Sequence, residues 1–146
     1  GAGVTVAGIA TFHNGADFDD ILIENVNITA GKLSDNTNIN VEDGMVHFFT
    51  TTETTTSTPN IRFNGSTALN ARMSIGDTIS ITLITTAAAA AYSANITIDG
   101  SAVTERWNGG SAPSSGGSSG NDVYSFQIIK TADATYTVLG NVSNFA

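Results

Sequence analysis

The stretch that decides the fold is Asp122–Phe145, DVYSFQIIKTADATYTVLGNVSNF. One face of it carries regularly spaced large side chains, at Tyr124, Phe126, Ile128, Tyr136 and Val138. Strict alternation is typical of a half-buried β-strand, because successive side chains point to opposite faces. A short polar segment, residues 131–134, interrupts the alternation. The stretch therefore predicts two amphipathic strands joined by a turn.

The composition favours one β-rich domain with an uncharged polar surface. The chain has 146 residues, of which 40% are hydrophobic and only 12% are charged, so its surface must be built from Thr, Ser, Asn and Gly. Such a surface is typical of extracellular or virion proteins. The net charge of −8 disfavours nucleic acid and anionic membranes as partners. Cysteine is absent, which leaves packing or oligomerisation to provide stability.

The acidic charge is concentrated in the first part of the chain. Residues 1–58 carry eight acidic side chains and one lysine, a net −7, whereas residues 59–146 carry five acidic and four basic side chains, a net −1. Apolar runs are too short to span a bilayer, and no signal sequence opens the chain. Because the sequence starts at Gly1 without a methionine, we expect a mature product or a fragment.

Residues 1–44 contain only very short apolar alternations separated by polar breaks. Strands of three or four residues cannot form a core alone, so this segment must borrow one, from the C-terminal part or from other copies of the chain. Its distinct acidity favours other copies, and we predict a trimeric stem. The residues expected in the trimer core are Val4, Val6, Ile9, Phe12, Ile21 and Ile23.

Residues 45–146 predict a head domain of about eight strands. Met45–Thr50 and Asp77–Thr86 are the clearest strands, and Asp99-Gly100 is a strong hairpin signal. Leu69–Met73 fits either a strand or one helical turn. Turns that recur every 8–12 residues indicate an antiparallel β-sandwich or jelly roll. The chain is therefore predicted to be all-β, a sandwich head on a short N-terminal stem.

No residue pattern predicts catalysis, a metal or a cofactor. His13 lies near Asp17 and Asp19, but no ligand spacing of a known metal site occurs, and a solvated acidic loop is the better interpretation. Glutamates are present, yet nothing pairs two of them as a glycosidase requires. A serine hydrolase is disfavoured because the Gly-x-Ser-x-Gly motif is absent. We therefore expect a protein that is not an enzyme.

The large amphipathic aromatic residues have two possible roles. Tyr92, Trp107, Tyr124 and Tyr136 could stack on sugar rings if they were exposed together. Their positions in alternating strands favour core packing, at least for Trp107 and Tyr124. Arg106 could form a cation–π pair with Trp107 or contact a sugar, and the sequence leaves both open.

Two stretches resemble structural proteins of marine T4-like phages, particularly cyanophages. VTVAGIATF (4–12) resembles the VxGIATF unit that recurs in their fibre proteins. The blocks NIRFNGSTALNARMSIGDTISITLITT (60–86), ITIDGSAVTERWNGGSAP (96–113) and DVYSFQIIKTADATYTVLGNVSNF (122–145) resemble, in content and order, a domain of such phages. The resemblance implies a virion component without catalytic residues.

These observations lead to a hypothesis for the function. We expect a non-enzymatic phage virion protein, the distal part of a trimeric tail or capsid fibre, bound to other virion proteins and contacting a polysaccharide or protein of the host surface. The alternatives are a capsid decoration protein and, ranked lower, a bacterial surface-filament or carbohydrate-binding module. Recognition is expected from loops. The candidate contact residues are Ala87, Ala90, Tyr92, Arg106, Asn108, Ser114 and Ser118.

Overall fold

The computed structural model describes residues 21–146 and, before them, Val6, Ala10, Phe12, Ala16, Asp17 and Asp19. The described chain is built from strands of 2 to 12 residues, one α-helical turn and three 3-10 turns at Leu33–Asp35, Val41–Asp43 and Asn108–Gly110. In order the elements are β1 (Val26–Thr29), β2 (Asn38–Asn40), β3 (Val46–Thr52), β4 (Asn60–Arg62), α1 (Leu69–Arg72), β5 (Thr78–Thr86), β6 (Thr97–Ile98), β7 (Ser101–Ala102), β8 (Glu105–Trp107), β9 (Asn121–Ala132) and β10 (Thr135–Phe145).

The strands form two sheets, which confirms the all-β prediction. Sheet A has the order β1-β3-β5-β9-β10-β8, and sheet B has the order β2-β4-β6-β7. The first six strands alternate between the sheets, so that the chain winds through one sheet and then the other. Each of these strands, which we call a pass of the chain through its sheet, lies beside the previous strand of the same sheet and runs parallel to it.

The predicted antiparallel arrangement is correct only for the β5–β9, β9–β10 and β6–β7 pairs. Of the eight strand pairings in the described chain, five are parallel and three are antiparallel. Parallel neighbours require a crossover connection; between β1 and β6 each crossover contains a strand of the other sheet, whereas β8 and β10 are connected through β9 of the same sheet. Alternation in sequence identifies a strand but carries no information on the direction of its neighbour, which explains the error.

Sheet B is held together by equivalent side chains from successive passes. Ile39, Ile61 and Ile98 lie in register on β2, β4 and β6, and each is at most 2% exposed. In the row of residues just before the isoleucines, the side-chain amide of Asn60 donates from Nδ2 to Asn38 Oδ1 over 2.9 Å. An isoleucine stack therefore faces the core, and amide hydrogen bonds connect the polar row beside it.

Residues 26–44 belong to the head and do not form a separate stem. Leu33 and Ile39 are each 1% exposed and lie in the same hydrophobic cluster as Phe49, Ile81 and Phe126. The structure therefore does not divide at residue 44. This segment takes its core from the rest of the same chain, which is the source that the sequence analysis ranked second.

The residues predicted to form the trimer core remain uncovered where the structure describes them. Val6, Phe12, Ile21 and Ile23 are between 55% and 79% exposed. Val4 and Ile9 lie outside the described residues. Exposed apolar side chains are unusual in this density, so the described residues before β1 present an apolar surface.

The two predicted hairpins are confirmed. Between β6 and β7, Asp99 (φ 51°) and Gly100 (φ 80°) both adopt positive φ, as a type I′ turn requires. The long hairpin of β9 and β10 pairs from Thr135↔Ala132 to Phe145↔Asn121. Its inward residues Tyr124, Phe126 and Ile128 are at most 2% exposed, so the alternation correctly identified the core face.

Candidate functional site

The two loops predicted to carry recognition lie against each other. The Ala87 amide donates to Gly120 O over 2.9 Å, and the Gly116 amide donates to Ala89 O over 3.1 Å. A Cβ on Gly116 would lie only 2.3 Å from Ala91 O, so glycine is required for this approach. The loops 87–92 and 108–120 therefore form one packed unit, which we call the loop pair.

A buried carboxylate fixes the loop pair to the closing hairpin. Asp122 is 1% exposed, and its side chain accepts hydrogen bonds from the Gly117 amide at 3.0 Å and from Asn144 Nδ2 at 2.6 Å. Such charge-assisted bonds are stronger than neutral ones. They hold the 108–120 loop in a defined position at the start of β9.

Trp107 packs on the core with part of its ring and lines a groove with the rest. Its ring meets Phe126 edge to face, with centroids 5.6 Å apart, and lies over Gly140, where a Cβ would come within 3.1 Å of the indole. Trp107 is partly buried. It borders a groove of ≈ 470 Å³ together with Asn95 and Gly110. Trp107 therefore both packs against the core and lines a groove.

A second groove adjoins the first. It has a volume of ≈ 240 Å³, and its walls include Tyr92 and the segment 56–58. Ala94 and Asn95 line both grooves, so the two form one surface depression with an aromatic residue at each end. We call this depression the aromatic groove.

The wall of the second groove is itself hydrogen-bonded. Ser57 donates its amide to Tyr92 O over 3.1 Å, and its hydroxyl lies 2.7 Å from the hydroxyl of Ser93. Beside Asn95, the Ile96 amide donates to Glu105 Oε1 over 2.5 Å. These contacts position both walls before any ligand arrives.

The structure separates the predicted recognition residues into three groups. Tyr92 and Arg106 line the aromatic groove. Ala87 is 6% exposed, so its side chain cannot contact a partner and only shapes the loop. The others are exposed outside the groove walls: Ala90, Asn108, Ser114 and Ser118.

Asn95, which both grooves share, was not identified from the sequence. The available signal was its place between Ala94 and Ile96 in an alternating stretch, which puts it on the face opposite the apolar residues. Its side chain is exposed. Sequence alone does not show that Asn95 lies between the segment 56–58 and Trp107 in one surface depression.

Arg106 does not form the cation–π pair considered for it. On β8 it lies opposite Leu139, whereas Trp107 lies opposite Gly140, and neighbouring strand residues point to opposite faces. Among the described residues, the cation–π contact is between Arg72 and Phe63, at 4.5 Å from the ring centroid.

Several carboxylates have structural hydrogen bonds. Glu53 is 5% exposed and accepts from the amides of Leu33 and Ser34, while Glu42 accepts from Asn64 Nδ2 at 2.8 Å. Within the described residues no three His, Asp or Glu side chains converge on a metal position, and His13 lies outside them. No helix of the described chain is long and apolar enough to cross a membrane.

Tyr124 is a buried titratable group directly behind the groove walls. It is 2% exposed, and its hydroxyl oxygen accepts from the Ser93 amide over 3.2 Å. Burial raises the pKa of Tyr124 to about 12, with the negative charges of Asp122 and Glu53 acting in the same direction and the Ser93 hydrogen bond opposing. The phenol is therefore neutral in the folded chain at ordinary pH.

The shift predicts a loss of stability at alkaline pH. Below the ordinary pKa of 10.0 the phenol is protonated in both states, so it has no effect on the pH dependence. Above it the unfolded chain ionises first, which lowers the free energy of unfolding by about 2 kcal/mol near pH ~11.5. Urea unfolding from pH ~9 to ~11.5 measures this loss in the wild type. Tyr124→Phe should show a smaller loss, whereas an equal loss would contradict the assignment.

Searches with the sequence and the structure found no match among protein-family models, curated proteins or solved structures.

Proposed function

We propose that the chain is a non-enzymatic phage virion protein that contacts the host cell surface from the distal part of a trimeric tail or capsid fibre. The two sheets, which share one hydrophobic core, would act as a sandwich head. The apolar segment before β1 would join copies of the chain at the fibre side. The loop pair and the aromatic groove would face the host.

The observation that carries the proposal is the position of these two features in sheet A. β1 is the first strand of the six, and β8, which carries Trp107, is the last. Five strand spacings of ~4.8 Å separate them, a distance of about 24 Å. Ile21 and Ile23, just before β1, and Trp107 of the groove therefore lie toward opposite edges of the sheet, which suits a protein with an assembly end and a contact end.

The polar surface and the packed loops support the same proposal. Loops on a rigid scaffold commonly carry recognition, and here Asp122 and the Ala87–Gly120 hydrogen bond reduce the entropy that a partner must remove. Three copies on one fibre would multiply weak contacts into avidity.

Adhesion to cells tests the proposal. We expect the labelled full-length chain to bind cyanobacterial host cells and to be displaced by soluble polysaccharide from the same envelope. The control is envelope material from a bacterium that is not a host. If no binding occurs at any concentration, the attachment proposal is wrong, and a copy number in intact particles that matches the capsid lattice would favour a decoration protein.

The trimer has a separate test in Ile21 and Ile23. Sedimentation of the wild type at micromolar concentration is expected to give a trimer, and Ile21→Asp combined with Ile23→Asp to give folded monomers. Aspartate would place unpaired charges in an apolar interface, which is strongly unfavourable. A folded wild-type monomer across this range would remove the argument for assembly through this segment.

A further inference from the structure

We infer that the aromatic groove is a binding site for a short neutral oligosaccharide, with Tyr92 and Trp107 as stacking surfaces and Asn95 as the hydrogen-bonding residue between them. The inference rests on the proposed function only for its biological role, since the groove itself is defined by its residues. It assigns the contact to one depression of the surface and a single class of ligand.

The geometry of the groove suits a chain of sugar rings. Its two parts, ≈ 470 Å³ and ≈ 240 Å³, share the wall formed by Ala94 and Asn95, and the larger one alone is within the usual size of ligand sites. Because the two parts adjoin at this shared wall, a linear ligand could extend from one part into the other. Trp107 borders one part and Tyr92 the other, which allows one aromatic contact at each end.

The chemistry of the walls favours hydroxyl-rich ligands. Tyr92 and Trp107 each combine an apolar ring with a polar group, which matches the apolar face and the hydroxyl edge of a sugar. Asn95 offers an amide that can both donate and accept, and no hydrogen bond of the described chain engages its side chain. Thr56 and Thr58 add hydroxyl groups at the Tyr92 end.

The net charge of the chain disfavours anionic ligands. Glu105 lines the groove, and its Oε1 accepts from the Ile96 amide, which leaves the other carboxylate oxygen to accept from a ligand hydroxyl. Arg106 also lines the groove, where its guanidinium offsets the charge of Glu105 and can donate to a ligand hydroxyl. With a net charge of −8 on the whole chain, nucleic acids and acidic polysaccharides would be repelled.

Tryptophan fluorescence tests the inference directly, because Trp107 is the only tryptophan of the chain. The full-length protein is titrated with neutral tetrasaccharides of glucose, galactose and mannose, and with an alginate tetrasaccharide as the anionic comparison. We expect a saturable change in emission with at least one neutral probe and a much smaller response to alginate. No response to any neutral probe up to roughly 10 mM, beyond the millimolar range of weak binding, overturns the inference.

Variants of the exposed Asn95 and the partly buried Tyr92 test the site directly. Asn95→Ala and Tyr92→Ala are each expected to weaken binding about tenfold or more, since each removes a direct contact. The matched control is Asn25→Ala, an exposed asparagine just before β1, with unchanged affinity expected. Equal affinity in all three variants would refute the site.

The same variants separate the groove from the proposed function. Loss of both sugar binding and cell adhesion in Asn95→Ala supports the two together. Sugar binding without adhesion of the wild type to any host cell supports the groove and contradicts the attachment proposal. Adhesion that is unaffected by Asn95→Ala and Tyr92→Ala supports attachment and contradicts the groove as its contact.

Discussion

Replacement of Leu33 and Ile39 by alanine in one chain is expected to unfold the entire head. Both side chains are 1% exposed and belong to the cluster that contains Phe49, Ile81 and Phe126. Each truncation removes apolar contacts and leaves a cavity, at a cost of about 2–5 kcal/mol. Together they approach the ~5–15 kcal/mol of total stability that a domain has. Urea unfolding followed by Trp107 emission, a reporter on β8 at the far edge of sheet A, measures the effect.

The control for this pair is Ile75→Ala, which removes the same atoms as Ile39→Ala from a side chain that is 67% exposed. Its cost should be below about 0.5 kcal/mol. The double variant could instead lose structure only in residues 26–44, with the same urea unfolding curve by Trp107 emission as the wild type. The N-terminal strands would then form a separate unit. The boundary expected at residue 44 would then describe the stability of the chain better than the shared core does.

The closing hairpin could be predicted because its pattern is local. Tyr124, Phe126 and Ile128 are inward because a β-strand repeats every two residues, and the register follows from the turn that joins β9 to β10. The Asp99-Gly100 turn could be predicted for a similar reason, because few residue types occupy two adjacent positions with positive φ angles. In both cases the physical cause lies within a few residues of its effect.

The parallel winding could not be predicted from the same kind of pattern. Ile39 lies beside Ile61 only because a 22-residue pass brings the chain back into register, and the contact depends on the whole crossover. One signal existed, the similar triplets Asn38-Ile39-Asn40 and Asn60-Ile61-Arg62, which pair residue by residue. A comparison of the sequence with itself at a spacing of 22 residues would have aligned these triplets and placed residues 26–44 in the head.

The groove falls between these cases. The sequence indicates aromatic side chains that could stack on sugars, but its alternation favours a core position for Trp107. The indole does pack on Phe126 and Gly140, and the groove that it also lines is completed by Asn95 from another part of the chain. Such a surface is a product of tertiary packing, so no spacing of residues in the sequence encodes it.

Gly120→Ala is expected to disrupt the loop pair and the end of the closing hairpin together. Gly120 has φ +70°, and a Cβ there would lie 1.9 Å from the carbonyl oxygen of Phe145. The left-handed conformation costs about 1–2 kcal/mol for a residue with a Cβ, and the steric conflict with backbone adds about 1–3 kcal/mol. Gly120 O also accepts from the Ala87 amide, so a shift of residue 120 loosens the 87–92 loop. Thermal unfolding gives the total loss, and hydrogen exchange at 87–92 locates it.

Gly110→Ala separates the two causes within the same loop. Gly110 has φ +83°, but a Cβ there would meet no atom within 4 Å, so this variant has the conformational cost without the conflict. The difference between the variants therefore measures the close contact of Gly120 with Phe145. Equal losses of stability, with protected amides at 87–92 in both, would show that the loop accommodates a side chain at 120. The position of the loop pair would then depend on its other contacts, the Gly116–Ala89 hydrogen bond and those of Asp122, and Asp122→Asn would become the decisive variant for sugar affinity.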